Sequence, residues 1–138
     1  MKGLLIAIAS MLVVYALGGC AEIPNNNAKI SLDNGIYDIE TIEINGDEIA
    51  IPKGVTFNID GDRIYGNAGC NSYFASFSRG IDSILVDVSG ATKMLCANEE
   101  DNRFEYLYLQ NLNGEFKISG NNKKIKLKNK NMLLILTR

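Results

Sequence analysis

Reactive side chains are few in this chain of 138 residues, and their types exclude much chemistry at once. There is no His, so Ser-His-Asp and Cys-His triads, imidazole general bases and His-ligated zinc are ruled out together. What remains is three cysteines, Cys20, Cys70 and Cys96, and two carboxylate clusters, Asp60/Asp62 and Glu99/Glu100/Asp101. A carboxylate pair could serve a glycosidase. Here the first pair brackets a glycine in a turn and the second cluster opens a helix, so each has a structural explanation. Two Cys without His cannot complete a tetrahedral zinc site, and no metal or cofactor is expected. The chemistry-bearing residues thus point to a protein that is not an enzyme.

Cys20 has a chemistry of its own. Met1-Lys2 supplies a short positive start, and residues 4–17 form a run of 14 with almost no polar side chain. At ~1.5 Å per residue that run reaches roughly 21 Å, short of the ~30 Å hydrocarbon core, so it predicts a signal peptide and not a permanent span. It ends in Leu17-Gly18-Gly19-Cys20, which resembles a bacterial lipobox. Small residues there let a peptidase approach the backbone, and the Cys20 thiol would receive a diacylglycerol and become the acylated first residue, a palmitate-type anchor. Two or three acyl chains exceed the marginal affinity of one, at ~0.8 kcal/mol per buried CH₂. Ala21 stands where Asp would signal inner-membrane retention, so resemblance to bacterial lipoprotein sorting implies the outer membrane, facing the periplasm. Residues 1–19 are then the signal peptide, and residues 20–29, with Asn25-Asn26-Asn27, a tether. The folded domain is expected over residues 30–138.

With Cys20 acylated, Cys70 and Cys96 are an even pair in an oxidising compartment, which predicts a disulfide. It would close a loop of 27 residues, worth ~3.5 kcal/mol in the chain-entropy model. A pair of buried free thiols is the alternative.

These residues need elements to hold them. At 46% apolar and 22% charged the chain is ordinary globular material, with length for one core. Short β-type runs alternate with turn signals: residues 36–44 before Asn45-Gly46, residues 55–59 before Asp60-Gly61-Asp62, then 63–66, 73–77, 84–88, 115–119, 124–128 and the wholly apolar 132–136. Phe74 interrupts a small-polar face, so the 73–77 strand is expected to be apolar on both sides. One segment has helical period. Asn98 can cap it, three acidic residues face the positive dipole end, and Phe104, Leu107, Tyr108 and Leu112 form a stripe suited to packing on the sheet. The fold class is mainly β (α+β): a small antiparallel barrel-like or sandwich domain of about seven or eight strands, with one helix around residues 98–112.

Charge divides unevenly. Residues 20–116 hold six basic and sixteen acidic side chains, and residues 117–138 hold seven basic and no acidic ones. The late lysines alternate with apolar residues, as on the solvated face of a hairpin, where they also oppose edge-to-edge aggregation. A formal net charge of −2 gives no reason to expect nucleic acid.

Around the two later cysteines the sequence resembles the META domain family, which includes HslJ-like heat-shock lipoproteins. The family pattern of a strand, Gly-Cys-Asn and an aromatic strand stands here as Ile64-Tyr65-Gly66-Asn67-Ala68-Gly69-Cys70-Asn71-Ser72-Tyr73. The second block stands as Thr92-Lys93-Met94-Leu95-Cys96-Ala97-Asn98-Glu99-Glu100. Tyr37 replaces a frequent family Trp, and Ala75 a frequent Gly. The resemblance implies an envelope protein of stress and antibiotic tolerance with no established catalysis. Physically, Gly66 and Gly69 suit positive φ, and Asn71 tolerates it and can bond its own backbone, so the blocks read first as structural hardware. The competing reading is a binding site built from Asn71, Tyr73, Thr92 and Lys93. The expected function is a non-enzymatic envelope-stabilising or stress-tolerance binding module. It would be a monomer, held to the membrane by its anchor and able to meet an envelope protein partner. A small-molecule-binding β-barrel carrier of the periplasm is the alternative.

Overall fold

The computed structural model describes residues 30–138. The proposed signal peptide, Cys20 and the tether lie outside the described residues. Nine strands and one helix follow in the order β1 (Gly35–Ile44), β2 (Asp47–Glu48), β3 (Phe57–Asp60), β4 (Arg63–Asn67), β5 (Ser72–Arg79), β6 (Ser83–Ala91), α1 (Glu99–Asn111), β7 (Gly114–Gly120), β8 (Lys124–Lys128) and β9 (Met132–Thr137). Alternation of apolar and polar residues makes these segments strands, because side chains two apart share a face.

From β3 onward each strand pairs antiparallel with the next, and β1 pairs with both β3 and β9. That last pairing, running from Asp38↔Thr137 to Ile44↔Met132, closes the sheet. The result is an eight-stranded antiparallel barrel, with β2 as a two-residue stub folded back on the end of β1. The sequence left barrel and sandwich open; closure decides for the barrel, and the count rises by the stub. Asn45 and Gly46, at φ 55° and 91°, make the tight turn between β1 and β2. Two further turns rest on asparagine side chains. Asn121 Oδ1 accepts from the amides of Lys123 and Lys124, and Asn129 Oδ1 from those of Asn131 and Met132.

The barrel interior is filled. Ile42, Phe57, Ile64, Phe116, Leu134 and Leu136 are fully buried and belong to one continuous core. Phe74 corrects an expectation: Tyr73, Ala75 and Phe77 point inward, while Phe74 stays 45% exposed. A strand in a closed single-layer wall has only one dry face. The lysines of β8 alternate outward with buried Ile125 and Leu127, as expected of a solvated face.

Both ends of the barrel are covered. At one, α1 lays Phe104, Tyr108 and Leu112 on the core, with Phe104 and Tyr108 stacked at 5.6 Å. Asn98 starts the helix, its side chain accepting from the Asp101 amide. At the other end, Arg79 donates to the carbonyls of Leu32 and Gly61, and Arg138 to that of Asn34. Tyr37 Oη donates to Asp33 O, so residues 30–34 are strapped across that mouth.

Gly66 shows how tight the wall is. A Cβ there would sit 2.1 Å from the carbonyl oxygen of Thr56, so the residue is needed for close approach and not for positive φ; Gly69, at φ 114°, is the one that needs its backbone freedom. Gly66→Ala is therefore expected to destabilise the fold by about 1–3 kcal/mol. A urea midpoint equal to that of the unaltered chain would show that the wall has slack.

Candidate functional site

The two family-like blocks meet where β4 turns into β5. Cys70 and Cys96 are joined by a disulfide with Cα atoms 5.6 Å apart, tying that turn to the segment entering α1. Of the two states left open by the sequence, the bridge is the one formed.

Asn71 lies beside it, 2% exposed, and uses its side-chain amide in full. Nδ2 donates to Glu105 Oε1 at 2.7 Å and to Met94 O at 3.0 Å. Oδ1 accepts from the Met94 amide at 2.7 Å and from Thr92 Oγ1 at 2.8 Å. Its backbone N–H donates to Glu105 Oε2 at 2.9 Å, so one carboxylate grips both amides of one residue. Asn71 itself is not among the residues at positive φ, and its side chain reaches across to distant segments instead of bonding its own backbone. The residue type matters here. Asn carries two donors and an acceptor on a short stem, and no aliphatic residue could satisfy the same neighbours.

Tyr73, two residues on, points into the core. Its hydroxyl donates to Thr56 O at 3.0 Å and meets the Tyr108 hydroxyl at 2.9 Å, with the rings edge to face at 5.5 Å. Burial pushes both phenols well above their ordinary range, further for Tyr108 through its contact with Tyr73. Of the four candidate binding residues, Asn71 and Thr92 bond each other, while Tyr73 turns into the core and bonds Thr56 and Tyr108 instead. Lys93 stands exposed beside them.

Glu105 and Thr56 are the residues that sequence reasoning missed. Glu105 follows the apolar stripe position Phe104 and looks like one more helix-surface acid. Nothing within its own segment marks its partner 34 residues away. The sulfurs of Cys70 and Cys96 and a Glu105 oxygen lie within 4.8 Å of one another, a spacing that could suit a metal. Both sulfurs are committed to the bridge and both carboxylate oxygens to Asn71, so the donor set is already occupied.

Neither carboxylate cluster forms a facing acid and base. Asp62 pairs with Arg79 at 3.5 Å, Asp60 accepts from Asn34, and Asp101 belongs to the helix cap. The concave feature nearest α1 is an open groove of about 420 Å³ outside the barrel wall. Ile49, Ile51 and Pro52 form one side, and Phe104, Leu107, Glu100 and Arg103 the other. Its volume falls in the range of small-molecule sites.

Two outcomes follow from this network. Asn71→Ala strands Met94 N–H and half of the Glu105 carboxylate, and is expected to cost on the order of 3 kcal/mol. Lys93→Ala should stay within about 0.5 kcal/mol. Chemical denaturation of both variants checks the contrast, and equal losses would dissolve it. The tyrosine pair sets an alkaline limit. Between the ordinary phenol pKa of ~10 and the raised folded values, the unfolded chain binds fewer protons than the folded one, so stability falls as pH rises. Unfolding free energies from urea titrations should hold level to about pH 10 and then drop, by up to ~1.4 kcal/mol per pH unit for each tyrosine. Tyr108→Phe should flatten that slope, and an unchanged slope would assign the loss to other groups.

Comparison with known proteins agrees with this geometry. A sequence model of the META domain matches residues 30–138. No curated protein matches the chain. Among solved structures, the NMR structure of a protein from Burkholderia xenovorans superposes with a TM-score of 0.63 at 18% identity, covering 78% of this chain and 83% of that one. A second NMR structure superposes with a TM-score of 0.55 at 17% identity, over 77% of this chain and 90% of its own. At such identities the likeness is one of fold. The META domain and the barrel together support a non-catalytic, binding-type module. With the match spanning every described residue, the chain belongs to the META domain family.

Proposed function

We propose that the chain is a lipid-anchored, non-enzymatic binding module of the bacterial envelope. Cys20 holds it to the outer membrane, and the barrel faces the periplasm and serves stress tolerance or envelope stabilisation. The observation that carries this reading is the Cys70–Cys96 bridge. Structural disulfides persist in oxidising compartments and are rare in the cytosol. The bridge therefore supports the same address as the lipobox, from an independent part of the chain.

Binding rather than catalysis is supported by the engagement of each carboxylate cluster in a turn or cap. The packed interior speaks against a carrier that holds its cargo inside the barrel. A carrier would have to use the external groove between residues 49–52 and α1.

The experiment is fractionation of cells expressing the full chain, with metabolic labelling by palmitate. The unaltered chain should enter the outer-membrane fraction carrying label, and Cys20→Ser should lose the label and leave that fraction. Label that persists without Cys20 would refute the anchor. In the native host, deletion of the coding sequence should lower tolerance of envelope stress, and unchanged tolerance would refute the assigned role while leaving the anchor intact.

A further inference from the structure

Apolar side chains on the outside of a barrel have no core to fill, yet one row of them crosses the wall in register. Ile36 on β1 stands opposite Asn58 on β3, Asn58 opposite Tyr65 on β4, Tyr65 opposite Phe74 on β5, and Phe74 opposite Gly90 on β6. Ile36 is 73% exposed, and Tyr65 and Phe74 are each 45% exposed. With strands ~4.7–4.9 Å apart, the row makes a track of roughly 19 Å along the wall.

Gly90 shapes this track. A Cβ there would meet Cζ and Cε1 of Phe74 at 3.0 and 3.1 Å, so the ring lies down over the glycine and covers it. A bulge at the same point, where the register passes from Phe74↔Gly90 to Ala75↔Val88, keeps both residues on the outer face. Two residues along each strand the face turns polar. Asp60, Arg63 and Ser76 stand opposite one another in the adjoining row, and a depression of about 280 Å³ opens among Asp60, Arg63 and Tyr65. Among the described residues, neither Asp60 nor Arg63 has an ion-pair partner.

We propose that this outer face is a saccharide-binding site, with the Tyr65 and Phe74 rings under pyranose rings and the polar row beside their hydroxyls. A pyranose is amphipathic in just this sense. Its C–H bonds present a weakly positive face that suits the negative face of an aromatic ring. Its hydroxyls project sideways, where a carboxylate accepts and a guanidinium donates. A stable protein partner fits less well. Ile36, Tyr65 and Phe74 expose roughly 200–300 Å² of apolar surface together, whereas a standard interface takes ~800 Å² from each partner. The site needs neither the lipid anchor nor the groove beside α1, so it stands or falls apart from them.

The test is a titration of the full chain in mild detergent, followed by backbone amide NMR shifts. The probes are β-linked oligosaccharides of glucose, β-linked oligosaccharides of N-acetylglucosamine, and soluble peptidoglycan fragments. At least one should give saturable shifts centred on β3, β4 and β5 at millimolar sugar. Tyr65→Ala and Phe74→Ala should each weaken binding about tenfold, as loss of one stacked ring implies. Gly90→Ala keeps the apolar area but lifts the Phe74 ring, and should weaken it as well. Leu85→Ala removes an exposed side chain on β6 outside the track and should leave it unchanged. Three results overturn the proposal: no saturation with any of the three sugars, shifts that survive both aromatic substitutions, or a chain dimer that these substitutions dissolve.

Discussion

One buried amide orders the end of the barrel where the chain is most irregular. Asn71 draws together three stretches: the β4–β5 turn, residues 92–94 and the middle of α1. A buried amide with a missing partner costs free energy, so this one side chain ties all three stretches to one another. The neighbouring disulfide limits how far the turn and the helix entrance can separate, but it does not orient them. Orientation comes from the Glu105 carboxylate, which accepts from both the backbone and side-chain amides of Asn71. With the helix placed in this way, Tyr108 reaches Tyr73 and the core is closed beneath it.

The rest of the architecture follows from closing a sheet on itself. Pairing β1 with β9 removes the free edges that would otherwise recruit a second chain. Eight strands enclose a space that side chains can fill, and here they fill it, with α1 and residues 30–34 covering the mouths. A packed interior moves recognition to the outside. There the molecule offers two different surfaces, a groove with mixed charge against α1 and an exposed row on β1 to β5 that carries Ile36, Tyr65 and Phe74.

Much of this was legible along the chain because the signals are local. Strict alternation in residues 124–128, the Asn45-Gly46 turn and the Asn98 cap each depend on a few adjacent residues, and each stands where its pattern places it. The bridge was legible for another reason: compartment and an even cysteine count argue for it without any geometry. The site was less so. Asn71 and Thr92 stood out by their block, but whether they would face a ligand or each other depended on where α1 and residues 92–94 came to rest. Gly66 was singled out as well, though for backbone freedom it does not use; its need is to let Thr56 O pass close by.

By itself the sequence determined the eight barrel strands, the main turns between them, the helix of the folded domain and its start, the pair of cysteines to be joined and the exclusion of imidazole chemistry. Tertiary structure alone decided three things. It closed the sheet through residues a full domain apart, such as Asp38 and Thr137. It gave Glu105 to Asn71, and it turned Phe74 out of a strand that looked apolar on both faces. The physical reason is common to all three. Side-chain periodicity and turn chemistry act over a few residues, whereas closure, register and the satisfaction of a buried amide depend on which distant segments meet.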